Sequence, residues 1–420
     1  MAAASVSIGR LQRSLEPCLS ALGLGVREVH RDLFRALLLG LLRLPSPYVA
    51  DIARGLGAEF GRSFWAREHR LLRLLASPKL ALSRVKAAYR RLLARALPAA
   101  GWVFLYADLS DIAKPYARRM PGLDWVRDGS DRPPPGEKKR VVRGYWLNEV
   151  YVGLEPGRMA PVVFDLYSLR SGETLSQTHV LLRGMEEAFE LVGPRGVWVA
   201  DRGFDDRELL GALLTRGRHF VIRVKAGSSA RHLLLEPGGP PATVQAVLRH
   251  LPLGQSLYSD REFRHVGTLG WTRVRLPDFP DHVLTLVVAL ALGHDEPLAV
   301  LTTLPVPDVA AARRVVAAYF RRWGGAEDPI RFIKQTFRLE KFLVASLRAM
   351  QVWVFLIGLA MALHALLLAP RGVGRKLAES IESFSDDITF RGYRLARALA
   401  DLLQGLPARL YRRLLLTSGP

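Results

Sequence analysis

The sequence predicts a mixed α/β core with helical regions at both ends and a β-rich insertion inside it. Three observations predict this. From Gly101 onward, short continuous apolar runs (Trp102 to Ala107, Pro161 to Tyr167, Gly196 to Ala200) alternate with a helical stretch from Gln177 to Leu191, the pattern of buried strands and covering helices. Residues 226–305 instead hold several strand-like runs separated by Gly, Pro and Asp. The two ends of the chain carry apolar residues at helical spacing among many arginines.

The bulk properties narrow the function classes. A chain of 420 residues, about half of them apolar, can bury a large core and make two or three domains. Its 60 Lys and Arg against 39 Asp and Glu leave a net charge of +21, which points to a polyanionic partner, nucleic acid ahead of an anionic membrane surface. The single cysteine, Cys18, excludes internal disulfides and a Cys-based zinc site. The N-terminus lacks a long apolar signal segment, so a reducing, cytoplasmic location is expected. Val352 to Ala369 is long and apolar enough to span a membrane. Gly358 and His364 within it, and the lack of a second such stretch, favour a buried helix behind the core sheet, with no membrane partner.

Taken in order, residues 1 to 98 read as helices. Leu33 to Leu44 ends at Pro45-Ser46-Pro47. Val49, Ile52, Ala53 and Leu56 keep helical spacing before a turn at Gly55 to Gly57, and a basic stretch from Arg62 to Arg73 follows. This is either a helix-turn-helix with its basic stretch on DNA or an amphipathic pair with a solvated arginine face. Tyr145 to Val152, Pro161 to Tyr167, Gly196 to Ala200 and His219 to Val224 read as strands, and Asp205 to Thr215 as a helix. In the insertion, Leu257 to Phe263, Trp271 to Leu276, Val283 to Ala291 and Leu298 to Thr303 read as strands. A helix from Asp308 to Arg321 leads out of it.

That helix opens onto the stretch YFRRWGGAEDPIRFIK, Tyr319 to Lys334. Glu327 and Lys334 are seven apart, about 20° from eclipsed on one helical face. Two other segments each end an apolar run on an aspartate: Asp108 after Trp102 to Ala107, and Asp201 after Gly196 to Ala200. Three carboxylates on two strand ends and a helix would suit hard divalent cations, which prefer oxygen ligands. Asp111 is the rival to Asp108, expected to cap the turn beyond the strand. Asp205 and Asp206 are expected to N-cap a helix.

These residues resemble a known family. Asp108, Asp201 and Glu327 look like the acidic triad of DDE transposases from bacterial insertion sequences. Tyr319, Arg322, Glu327 and Lys334 resemble that group's Tyr-Arg-Glu-Lys signature. The runs Asp108-Leu109-Ser110, Asp201-Arg202-Gly203-Phe204 and Arg331-Phe332-Ile333-Lys334-Gln335 support the match, which covers roughly residues 100–345.

The resemblance implies an RNase H-like catalytic core over 99–225 and 306–345 and a β-rich insertion over 226–305. A helical DNA-binding domain over 1–98 and a C-terminal helical region over 346–420 would flank them. It implies catalysis by Asp108, Asp201 and Glu327 holding Mg²⁺ or Mn²⁺, as two ions. DNA contacts would come from Tyr319, Arg322 and Lys334. Arg202 is a further candidate for the phosphates, Lys225 a weaker one, and Trp323 either stacks on an unpaired base or belongs to the core. The implied activity is cleavage and transfer of DNA strands at the terminal inverted repeats of an insertion sequence. The partner would be double-stranded DNA, bound by a homodimer on the bacterial nucleoid. The alternative is a catalytically silent DNA-binding descendant.

One departure from the signature matters. The family usually has three residues between the Arg and the Glu, whereas here Trp323, Gly324, Gly325 and Ala326 make four. On an unbroken helix the extra residue rotates Glu327 and Lys334 by about 100° away from Tyr319 and Arg322. Glycine pairs are poor helix interiors, and Pro329 suits only a first turn. A break or bulge at the glycines is therefore expected, with a helix restarting near Glu327.

Overall fold

The computed structural model describes residues 8–129, 131–134, 137–155, 157–172, 176–225, 231–254, 267–291, 297–370, 372–381 and 390–416. The expected strand Leu257 to Phe263 lies outside them. In chain order come helices α1 (Ile8–Gly23), α2 (Glu28–Arg43), α3 (Val49–Arg54), α4 (Phe64–Ala76) and α5 (Leu82–Ala94). Strands β1 (Val103–Ala113), β2 (Asp124–Arg127), β3 (Val141–Glu155) and β4 (Arg158–Tyr167) follow. Next are α6 (Gln177–Val192), β5 (Gly196–Ala200), α7 (Arg207–Thr215), β6 (His219–Arg223), β7 (His232–Leu233), β8 (Ala242–Thr243) and α8 (Val244–His250). Then come β9 (Gly267–Leu276), β10 (Phe279–Ala291), β11 (Leu298–Thr302), α9 (Val309–Phe320) and α10 (Asp328–Thr336). Helices α11 (Leu347–Leu367), α12 (Val373–Glu379), α13 (Gly392–Gln404) and α14 (Ala408–Leu415) close the chain.

The chain divides into two compact units. Unit 1 comprises Met1–Pro98, Leu109–Val180 and Glu327–Pro420; unit 2 comprises Ala99–Asp108 and Leu181–Ala326. The chain crosses between them after Pro98, within β1, within α6 and just before Glu327.

Unit 2 is a sheet with helices on it. The first half of β1 pairs in parallel with β5, from Val103 opposite Gly196 to Tyr106 opposite Val199. β5 pairs in parallel with β6. Parallel strands are buried on both faces, and all five residues of β5 are buried. β11 then adds to β6 in antiparallel fashion, β10 to β11 and β9 to β10. The described insertion strands β9, β10 and β11 thus extend the row begun by β5 and β6, and α8 lies in the insertion as well. α9 begins at Asp308, whose carboxylate caps it by accepting from the Ala311 amide, and buries Ala312, Val315, Val316 and Tyr319.

Unit 1 surrounds one long apolar helix. β3 pairs antiparallel with β2 through Val141–Gly144 and with β4 through Trp146–Glu155. The second half of β1 also meets β3: the Lys114 amide donates to the Arg143 carbonyl, and Ser110 reaches Glu149. Partner numbers fall as β1 numbers rise, so this pair is antiparallel. α11 packs on β4, and Gly358 is what lets it close: a Cβ there would stand 2.7 Å from the Phe164 ring. Of its most apolar 18 residues, 89% are buried, although by length and composition the helix could cross a membrane. It is a core helix. Each fully buried large apolar side chain contributes about 1.5–3 kcal/mol, and Val352, Trp353, Val354, Leu356 and Ile357 are all completely covered.

The fold is mixed α/β. Strands β4-β3-β1 with β1 antiparallel to β3, and β1-β5-β6 all parallel, are the strand relations of an RNase H-like core.

Candidate active site

β5 delivers Asp201. The strand ends at Ala200, and Asp201 opens the following turn, where its Oδ1 accepts from the Gly203 amide at 2.8 Å. Phe204 anchors that turn, buried beside Trp198 with ring centroids 6.4 Å apart. Arg202 is exposed. The next two aspartates divide their work. Asp206 caps α7, accepting from the Glu208 and Leu209 amides. Asp205 does not cap it, contrary to expectation. Its side chain is fully buried and ion-paired with Arg231, its Oδ2 accepts from the Lys225 amide at 2.9 Å, and its carbonyl accepts from the Lys225 ammonium and from Arg231. Arg231 and the Lys225 amide thus occupy the carboxylate that a helix cap would have used. Lys225, a DNA-contact candidate, is thus engaged within unit 2.

β1 delivers Asp108, which does not stand at a strand end. The strand runs on to Ala113 because the polar residues after Asp108 find partners. Asp108 is half-buried, and its Oδ2 lies 3.3 Å from Nη1 of Arg322, a residue 8% exposed. The signature arginine and the first aspartate therefore meet in unit 2.

The glycine stretch is bulged. Trp323–Glu327 forms a π turn between α9 and α10. A π turn takes up one residue more than an α turn, the size of the departure in the sequence. Gly325 serves close approach: a Cβ there would lie 2.5 Å from Cγ of Tyr106 on β1, and its φ is not among the positive values. Glu327 immediately precedes α10, with Pro329 in the first turn. Trp323 is 43% exposed, with one face stacked on Phe320 at 5.3 Å, so it is no core residue. Tyr319 is 4% exposed. Its ring packs in edge contact with Phe320 and Trp323, so the structure places this DNA-contact candidate in the interior.

In unit 1, α10 carries Lys334 into a polar cluster that the sequence reading missed. Its ammonium donates to the Asp111 carbonyl at 2.8 Å and pairs with Glu340 at 3.0 Å. Burial opposes its charge, but Asp111, Glu340 and Glu149 outweigh burial and hold its pKa above the ordinary value. Asp111 lies inside β1 rather than beyond it, 8% exposed, accepting from the Gly129 amide. Glu149 is 1% exposed and accepts from the Ser110 and Tyr151 hydroxyls. Lys114 donates to the Glu340 and Phe342 carbonyls, and burial pushes its pKa down to about 8. One sequence signal pointed here: Asn148-Glu149 interrupts an otherwise apolar strand, and a carboxylate is rarely buried unless partnered.

Asp108, Asp201, Arg202, Tyr319, Arg322 and Trp323 thus belong to unit 2, and Glu327 and Lys334 to unit 1. Among the described residues, no three His, Cys, Asp or Glu side chains form a group that could hold a metal ion.

Residues 161–363 match the family model of the transposase DDE domain. That span includes Asp201 and the whole Tyr319–Lys334 stretch and begins after Asp108. A solved structure, a cryo-EM structure of a piggyBac transposase synaptic complex with hairpin DNA, aligns at 12% identity and a TM-score of 0.43. The alignment covers 94% of this chain and 78% of that one. No curated relative matches the chain.

Proposed function

We propose that the chain is a DNA transposase that binds the terminal inverted repeats of its insertion sequence, cleaves at the element ends and joins the 3′ ends to target DNA. The observation that carries this reading is the transposase DDE domain match over 161–363, which contains two of the three triad carboxylates and the full signature.

Asp108, Asp201 and Glu327 are the catalytic carboxylates. Such domains generally use divalent metals, and Mg²⁺ or Mn²⁺, as two ions, is the proposed cofactor. The donor chemistry fits: carboxylate oxygens suit hard cations. In this structure Asp108 pairs with the Arg322 guanidinium, which a bound cation would have to share or displace. When bound, two such ions would activate the attacking hydroxyl and neutralise phosphate charge.

The chain's own residues do the rest. Arg322 orients Asp108. The backbone amide of Gly203 holds one oxygen of Asp201. Arg202 and Trp323, both exposed, are available to a phosphate and to an unstacked base respectively. Lys334 keeps its charge at neutral pH through its carboxylate neighbours. Holding two element ends together requires at least a homodimer on DNA, and the working location is the bacterial nucleoid in the cytoplasm.

The test is strand cleavage of end-labelled DNA carrying the element's inverted repeat, with and without Mg²⁺. Metal-dependent nicking at the 3′ ends, lost in Asp201→Ala while DNA binding persists, is expected. Wild-type cleavage by Asp201→Ala, or none by the parent chain under any divalent cation, would overturn the reading.

A further inference from the structure

The antiparallel ribbon of β2 and β3 in unit 1 sorts its charges by face. Along β2 the residues alternate buried and exposed. Asp124 and Val126 point in, while Trp125 and Arg127 point out. Opposite them on β3, Trp125 pairs with Arg143 and Arg127 with Val141. The outer face of the ribbon is therefore Trp125, Arg127, Arg143 and Val141, with Trp125 48% and Val141 54% exposed. The Arg143 guanidinium lies over the Trp125 ring, 4.1 Å from its centroid.

The acids are turned the other way. Asp124 is 7% exposed and engaged by the Trp125 and Leu169 amides. Asp128, 4% exposed, pairs with Arg140. An ordinary solvated face mixes both signs and hides its tryptophans. Here the carboxylates are inside, and the cations share the surface with an uncovered indole. The flanking exposed residues Arg118, Arg119, Lys138 and Lys139 outnumber the exposed Glu137 beside them and keep the surrounding field positive.

We propose that the outer face of the β2–β3 ribbon is a second DNA-contact surface, binding the phosphate backbone of duplex DNA through Arg127 and Arg143. Charge complementarity selects the partner: a positive ribbon on a chain of net charge +21 meets a polyanion. The stacking of Arg143 on Trp125 holds the guanidinium out from the ribbon before DNA arrives, so less side-chain freedom is lost on binding. The inference rests on DNA being the partner of this chain, and it adds a surface apart from the residues assigned above.

The experiment is fluorescence anisotropy with a 40-base-pair duplex over a series of NaCl concentrations. It compares the full chain with Arg127→Gln/Arg143→Gln, Arg127→Glu/Arg143→Glu and the control Arg216→Glu, an exposed arginine of unit 2 paired with Glu186. Each phosphate contact contributes roughly 0.9 to the log–log salt slope. The neutralised pair should flatten the slope by about two and weaken binding about tenfold or more, the reversed pair should weaken it further, and the control should do neither. Wild-type affinity and slope in both double variants would overturn the ribbon while leaving the transposase reading intact. An equal effect of Arg216→Glu would overturn it too, as would loss of binding to anionic phospholipid vesicles with DNA binding retained. A parent chain that binds no duplex at all overturns both proposals.

Discussion

Nη1 of Arg322 lies 3.3 Å from Oδ2 of Asp108, joining residues 214 apart in the sequence. The guanidinium side chain is 10% exposed and the carboxylate 23%, so the pair is shielded but not dry. This contact ties the signature stretch to the strand that carries the first aspartate. Unfolding Arg322→Ala, Asp108→Asn and the double variant in urea should give a coupling of about 0.5–3 kcal/mol, as for contacting charged partners. Strictly additive losses would mean the two side chains do not interact in solution.

The π turn makes a second prediction. Gly325→Ala drives a Cβ into the Tyr106 ring, and overpacking of this kind costs about 1–3 kcal/mol. Gly324 is the residue that the turn can release, because deleting one residue from a π turn leaves an α turn. The Gly324 deletion should therefore stay folded, with a melting temperature above that of Gly325→Ala. The opposite order in a thermal melt would argue against the bulge as the way the extra residue is absorbed.

Asp205 and Arg231 are a buried pair, their side chains 0% and 16% exposed. Removing one partner of such a pair strands the other and costs about 3–5 kcal/mol, whereas removing both charges costs far less. Asp205→Asn should lose most of that stability, and adding Arg231→Gln should restore part of it. Hydrogen exchange of the segment from Asp201 to Asp206 should quicken in the single variant. A double variant less stable than Asp205→Asn would rule out the pairing.

His364 supplies a pH prediction. It sits fully buried among the rings of Phe332 and Phe337, with Nδ1 2.7 Å from the Ala360 carbonyl. Burial, only partly offset by that hydrogen bond, pushes its pKa down to about 4 from an ordinary 6.5. The unfolded chain then takes up a proton that the folded one refuses. Its contribution is intact above pH 6.5 and is lost as pH falls toward 4. At 1.36 kcal/mol per pKa unit, about 2 kcal/mol disappears between pH 7 and pH 5. Urea midpoints of the parent and His364→Leu at the two pH values measure it, and the variant's loss should be smaller by that amount. Equal losses would place the acid sensitivity elsewhere.

The sequence by itself determined the α/β core, its helical flanks and the likeness to the transposase DDE domain, because these follow from local pattern and from residue types at fixed spacing. Strand β5 with Asp201 at its end was legible as a short apolar run closed by an aspartate, and the anomaly at Gly324-Gly325 as a defect of helical phase. The extent of β1 was not. Asp108 and Asp111 looked like an ending because polar residues usually close a buried strand, and only Arg322, Gly129 and Lys334, distant in sequence, supply the partners that let it continue. The same holds for Asp205, which reads as a cap until Arg231 is folded against it, and for Glu149, which reads as an oddity until Ser110 and Tyr151 surround it. Periodicity reports which way a side chain points along its own element. What partners a buried charge depends on chain segments brought together over long separations, and tertiary structure alone decided that.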